Sequence, residues 1–219
     1  MSSTNANKPV EGGAIVKKST AKADAKTSPR ERIVSTACAL FRSHGIRGIG
    51  VDAIAQAADT NKMTLYRHFG SKDDLVCETL KVASSKAAAL WDDLSTRFPG
   101  NPRAQVDGWV SARVDCLASE PYGCDLANAA VELKESDHPA HALIESFKTA
   151  QRQRLEELCR EAGLSEPELL ADTLSMLLEG ARVSRIATGD QGPAARFERA
   201  CRAAISAHAA RVEEAGVGH

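Results

Sequence analysis

The apolar positions of this chain recur three and four residues apart from Ile33 onward, with no sustained period-two alternation, so the pattern predicts helices and no strands. Ile33, Val34, Ala37, Leu40 and Phe41 form the first stripe. Ser28-Pro29-Arg30-Glu31 stands before it as a capping box with Pro at the first helical position, and Gly45 supplies the stop. A short helix is expected from about Val51 to Ala57 around Ile54, then a turn at Ala58-Asp59-Thr60. A sharp turn between helices calls for a left-handed residue, which Asp tolerates better than most. Asn61 caps the next helix, whose Leu65 and Phe69 share one face. Ser71-Lys72-Asp73-Asp74 opens a fourth, with Leu75, Val76, Thr79 and Leu80 behind it.

Beyond this the same spacing continues. The fourth helix is expected to reach about Phe98, and Asn101-Pro102 opens the next, with Val106, Trp109, Val110, Val114 and Leu117 as its stripe. After a break at Glu120–Gly123 come a helix over Cys124–Ser136 and a long one from Pro139 to about Ala162, ended by Gly163. Ser165-Glu166-Pro167-Glu168 reads as a further capping box, before Leu169, Leu170, Thr173, Leu174, Leu177, Leu178 and Ala181. Pro193 starts the last helix, with Phe197, Ala200, Cys201, Ala204 and Ile205. The fold class is all-α.

Two short helices around a tight turn, with a polar second helix, form a helix-turn-helix, which makes the DNA major groove the first partner to consider. With Leu65 and Phe69 turned to a core, Asn61, Lys62, Met63, Thr64, Tyr66, Arg67 and His68 are left for phosphates and base edges. Lys62 and Arg67 also fit a merely solvated face, and Met63 fits either a thymine methyl or plain exposure. Lys72, a cation in the first turn of a helix, opposes the helix dipole, an imbalance that a phosphate would offset.

The run Phe41 to Gly45, then Ile54-Ala55, then Thr64-Leu65-Tyr66-x-His68-Phe69-x-Ser71-Lys72 and Leu75, resembles the DNA-binding domain of the tetracycline-repressor-like (TetR) transcriptional regulators over roughly residues 29–76. Gly50 stands where that family usually has Thr, so it caps weakly and offers a phosphate only its own N–H. Asp59 stands at the family's usual turn glycine. The resemblance implies an N-terminal three-helix helix-turn-helix domain (28–75) joined to a larger helical body (76–212) that binds an effector and dimerises. It also implies a homodimer through the two C-terminal helices, a palindromic double-stranded operator and a small-molecule effector. Small residues in those helices (Gly180, Ala181, Ala200, Ala204) suit close packing. Trp91, Trp109, Cys116, Tyr122, Phe147 and Met176 are the candidates for an effector pocket, although residues of these types are more often plain core.

Net charge is −1, which at first sounds wrong for a DNA binder. The distribution resolves it: residues 1–27 carry five Lys and two acids, residues 28–75 seven bases and five acids, and residues 76–219 sixteen bases and twenty-two acids. The N-terminal third is the basic face and the body is acidic. Residues 1–27 read as a disordered basic arm, either touching DNA or only solubilising, and 213–219 as a flexible tail. The six Cys lack paired metal-ligand spacing and read as reduced thiols, so no metal or cofactor is expected. Glu132, Glu135 and Asp137 read as a solvated face, and no nucleophile–base set or phosphate loop supports an enzyme. No apolar run suits a membrane span or a leader peptide, so the expected location is the cytoplasm. A helical interaction module without sequence-specific DNA reading is the alternative.

Overall fold

The computed structural model describes residues 27–214 and is all-α across them. Its helices are α1 (Pro29–His44), α2 (Val51–Ala57), α3 (Lys62–Phe69), α4 (Lys72–Arg97), α5 (Pro102–Ser119), α6 (Asp125–Glu132), α7 (Ala140–Glu161), α8 (Pro167–Thr188) and α9 (Phe197–Glu214), with a 3-10 turn at Pro193–Arg196 before the last. The expected basic arm lies outside the described residues apart from Thr27, as do the last five residues of the expected tail.

Local chemistry sets most helix starts. The Ser28 hydroxyl accepts from Glu31 N while Ser28 N donates back to the Glu31 carboxylate, closing the capping box. Asn61, Ser71 and Asn101 accept from the third backbone N–H of their helices, at 2.9, 3.0 and 3.1 Å. The box expected at Ser165 does not form. Glu166 is the cap, in a left-handed conformation with φ of 48°, and the Ser165 hydroxyl donates instead to the His208 carbonyl at 2.7 Å. A long-range partner on α9 therefore replaces the local one. The helix expected over Cys124–Ser136 closes at Glu132, ahead of a loop that buries His138.

Two apolar clusters hold the chain. The first joins α1, α2, α3 and the start of α4 (Ile33, Ile54, Leu65, Leu75, Leu80) to Leu126 and Ala129 of α6 and Ile144 of α7. The second packs Leu94, Trp109, Leu155, Leu174 and Ile205 from α4, α5, α7, α8 and α9. The helix-turn-helix therefore shares its core with α6 and the start of α7, and α4 runs through both clusters.

Ionic contacts follow the same seam. Arg42 on α1 makes a two-pronged pair with Asp125 on α6, at 3.0 and 2.5 Å. The Glu132 carboxylate, at the other end of α6, accepts from Ile46 N at 2.9 Å and from Arg47 N at 2.6 Å. Arg47 also reaches Glu135 at 2.5 Å. Glu132 is therefore a clasp on the α1–α2 loop, and neither it nor Glu135 is the idle solvated face that the sequence suggests. Gly45, with φ of 78°, makes the approach feasible, because a Cβ there would stand 2.9 Å from the Glu132 carboxylate.

Candidate DNA interface

Leu65 and Phe69 fasten α3 to the first cluster, Leu65 with no exposed surface. The opposite side of α3 carries Met63 and Arg67, with Met63 82% exposed. Tyr66 and His68 flank that face and are exposed. Arg67 makes no hydrogen bond or ion pair among the described residues, although carboxylates abound elsewhere in the chain. A helix anchored on one side that keeps a cation, a phenol and an imidazole unspent on the other is equipped for an external polyanion.

The turn that sets α3 is built as its residue types require. Asp59 is left-handed at φ of 51°, and Thr60 N reaches back to the Ala55 carbonyl at 3.0 Å. The Asn61 side-chain oxygen is occupied as the cap of α3, which leaves its amide N–H groups to face outward. Lys62 pairs with Asp52 across the turn at 3.1 Å, both side chains at least half exposed. Such a pair is worth little in water and exchanges readily for a phosphate.

Lys72, expected to meet a phosphate, also has a partner within the chain. Its ammonium donates to the Ile46 carbonyl at 2.6 Å, because the α1–α2 loop passes over the start of α4. One of its three N–H groups is thereby spent on holding that loop. Lys72 and Glu132 grip the same segment, Lys72 from a carbonyl and Glu132 from the amides beside it.

Gly50 caps α2 with extended φ and ψ of −86° and 158° and no side-chain bond, and a Cβ there would meet nothing within 4 Å. Gly50→Thr is therefore expected to fit without strain and to supply the missing cap. A gain of a few tenths of a kcal/mol in urea unfolding is expected, together with tighter DNA binding in a gel shift. Lower stability would show that the open space at Gly50 is not free for a side chain.

The six expected effector-pocket residues do not share one wall. Trp109 is buried in the second cluster, Phe147 packs against the first, and Trp91 donates to Gln151 at 2.9 Å. Tyr122 and Met176 are exposed, the first in the turn between α5 and α6, the second on the outer side of α8. Cys116 donates to the Glu120 carboxylate at 3.0 Å and lies beside Arg182. A cavity of about 40 Å³, large enough for a water, lies instead between α1, α4 and α6, lined by Cys38, Phe41, Thr79 and Asn128 among others.

The expected close-packing residues also sort differently. Ala181 is buried in its own core, and Ala204 packs against the same cluster. Only Gly180 of the four stands on an open face. What that face of α8 shows instead is Leu169, Met176 and Val183, 52%, 65% and 66% exposed and seven residues apart. Thr173, Gly180 and Ala187 fall between and after them at heptad offsets. The sequence reading does not separate this stripe, since it places Leu169 in one run with Leu170 and Leu174 and takes Met176 as a pocket candidate. The seven-residue repeat was the signal that would have found it.

Among the described residues no group of His, Cys, Asp and Glu is arranged to hold a metal ion, and no helix is long and apolar enough to cross a membrane.

Residues 33–79 match the family described as bacterial regulatory proteins, tetR family. The chain is 32% identical over 92 residues to the HTH-type transcriptional repressor SCO4008 of Streptomyces coelicolor, covering 42% of this chain and 44% of that protein. It is 34% identical over 103 residues to the HTH-type transcriptional regulatory protein RaaS of Mycobacterium tuberculosis, covering 44% and 47%. The chain thus matches less than half the length of either. The crystal structure of SCO4454, a TetR-family transcriptional regulator from Streptomyces coelicolor, superimposes over 82% of this chain and 95% of that one, with a TM-score of 0.76 and 26% identity.

Proposed function

This chain belongs to the TetR family of DNA-binding transcriptional regulators, and from that premise we propose that it is a homodimeric repressor, released from a palindromic operator by a small molecule bound in its helical body. One observation carries the reading. The exposed face of α3 opposite its buried anchors keeps Tyr66, Arg67 and His68 without a hydrogen bond or ion pair among the described residues. Asn61, Lys62, Met63, Thr64, Tyr66, Arg67 and His68 line that face, with Gly50 and Lys72 at its borders. An apolar stripe left exposed on α8 supports the rest. The exposed heptad stripe on α8 is complementary to itself about a two-fold axis and would bury Leu169, Met176 and Val183. Two heads fixed in this way read two half-sites about one DNA turn apart or a multiple of it.

Selection of bound sequences from a random DNA pool, followed by footprinting, tests the proposal. A palindrome bound by two copies is the expected result, and a single unrepeated site or no enrichment would overturn it. Within the same assay Arg67→Ala is expected to weaken specific and unrelated DNA alike and to flatten the salt slope by about one per protomer. Tyr66→Phe should weaken binding with the slope unchanged, since it removes a donor and no charge. Wild-type behaviour of both variants across salt concentrations would mean that α3 does not dock.

A further inference from the structure

The seam between α5 and α8 is rich in guanidinium groups and short of carboxylates. Arg113 on α5 lies over the Trp109 ring, 5.3 Å from its centroid, and makes no hydrogen bond or ion pair among the described residues. Its Nε is buried without a partner. Arg182 on α8 is its cationic neighbour, with a side chain only 11% exposed. Arg182 donates to Glu179 at 3.1 Å and to the Cys116 sulfur at 3.8 Å. Glu179 is already claimed by Lys148 of α7, at 2.6 Å, and Lys148 also touches the Cys124 sulfur at 3.6 Å. Glu120 is held by the Cys116 thiol. One turn along α8, Arg185 pairs with Asp190 and the Ala118 carbonyl, yet its Nη1 is buried without a partner too.

Burial first, and then the charge of Arg182, push the pKa of Arg113 down. A half-buried guanidinium beside a like charge, with its Nε buried and unmet, lowers stability unless something compensates. Three cations (Arg113, Lys148 and Arg182) face two carboxylates (Glu120 and Glu179), a positive excess that an added negative charge would offset.

We infer that the effector of this protein carries an oxyanion head, carboxylate or phosphate, that lodges between Arg113 and Arg182. The inference rests on the reading of the body as an effector site and adds its chemical class. A guanidinium fork matches either oxyanion through paired N–H donors. Lys148 supplies a third positive charge, and the Trp109 ring holds Arg113 from behind.

Calorimetry on the full chain with octanoate, octyl phosphate, octanamide and inorganic phosphate tests this. At least one of the two octyl anions is expected to bind at least tenfold more tightly than octanamide, and its comparison with the other identifies the head. Arg113→Gln should lose roughly tenfold or more in anion affinity, and Arg113→Lys should lose less, keeping the charge without the fork. Arg113→Gln should also melt no lower than the wild type without ligand, since it removes an unpaired buried charge. Equal binding of octanamide, or no binding of either octyl anion at millimolar concentration, overturns the proposal. So does binding of inorganic phosphate alone that is indifferent to Arg113→Gln, an adventitious ion only. Dissociation of the dimer by Arg113→Gln with anion affinity unchanged would assign Arg113 to a partner carboxylate and also overturn it. Release of operator DNA by a neutral compound bound in the body would sink the anion while leaving the ligand-released repressor standing. Anion binding without effect on DNA would do the reverse.

Discussion

Met176→Glu combined with Val183→Glu is expected to turn a dimer into a monomer and to lower affinity for a palindromic operator by about a hundredfold or more, because the second head then binds without the benefit of the first. Both side chains are largely exposed in the single chain, 65% and 66%, so the fold should tolerate the change. Across a two-fold seam the same substitutions bring four carboxylates into an apolar contact, which is costly without partners. Sedimentation would report the association state, circular dichroism the intact helices and gel shift the affinity. A variant that sediments as a dimer would remove α8 from the interface. Leu170→Glu, which buries a charge in the chain's own core, is the contrasting control and should fail to fold.

The second large effect is expected at Glu132. Glu132→Ala removes the acceptor for two backbone N–H groups, those of Ile46 and Arg47, and leaves the Lys72 contact and the exposed Arg47–Glu135 pair to hold the loop. A loss of about 1–3 kcal/mol in urea unfolding is expected, the worth of hydrogen bonds to a charged acceptor in a partly solvated site. Amide exchange at Ile46 and Arg47 should accelerate well beyond the global effect. Glu132→Gln, with one acceptor oxygen in place of two, should fall between. Unchanged exchange at both amides in Glu132→Ala would show that the clasp does not restrain the loop. Gly45→Ala should resemble Glu132→Ala, since its methyl would occupy the path of the carboxylate and strain a left-handed backbone.

Those parts of the fold that depend on near neighbours along the chain are legible in the sequence itself. The Ser28, Asn61 and Ser71 caps, the left-handed Asp59 and the Leu65–Phe69 anchor all arise within one or two turns of backbone. The resemblance to one family rests on the same stretch of chain. What sequence does not decide is which of two chemically equal options a distant partner selects. Ser165 has a local cap available and takes the His208 carbonyl instead. Lys72 has a phosphate-facing reading and gives one of its N–H groups to Ile46. Ala181 and Gly180 look alike as small residues, yet one lies in the core and the other on the open face. For Met176, apolar character alone does not separate a pocket from a seam, whereas its distance of seven from both Leu169 and Val183 does. Arg113 is invisible for a different reason: its lack of a partner is a property of the surroundings, and no residue type announces it.

Helix α6 is only eight residues long, Asp125–Glu132, and both ends are committed. Its C-terminal carboxylate holds the loop before α2, Asp125 near its start holds Arg42, and its capping residue Cys124 touches Lys148 beside the guanidinium pair. A rod this short does not bend between its ends, so it links the contacts at one end mechanically to those at the other. If the proposed anion releases the proposed operator, thermodynamic reciprocity requires that operator DNA, by fixing the heads, weaken the hold of the body on the anion by the same factor.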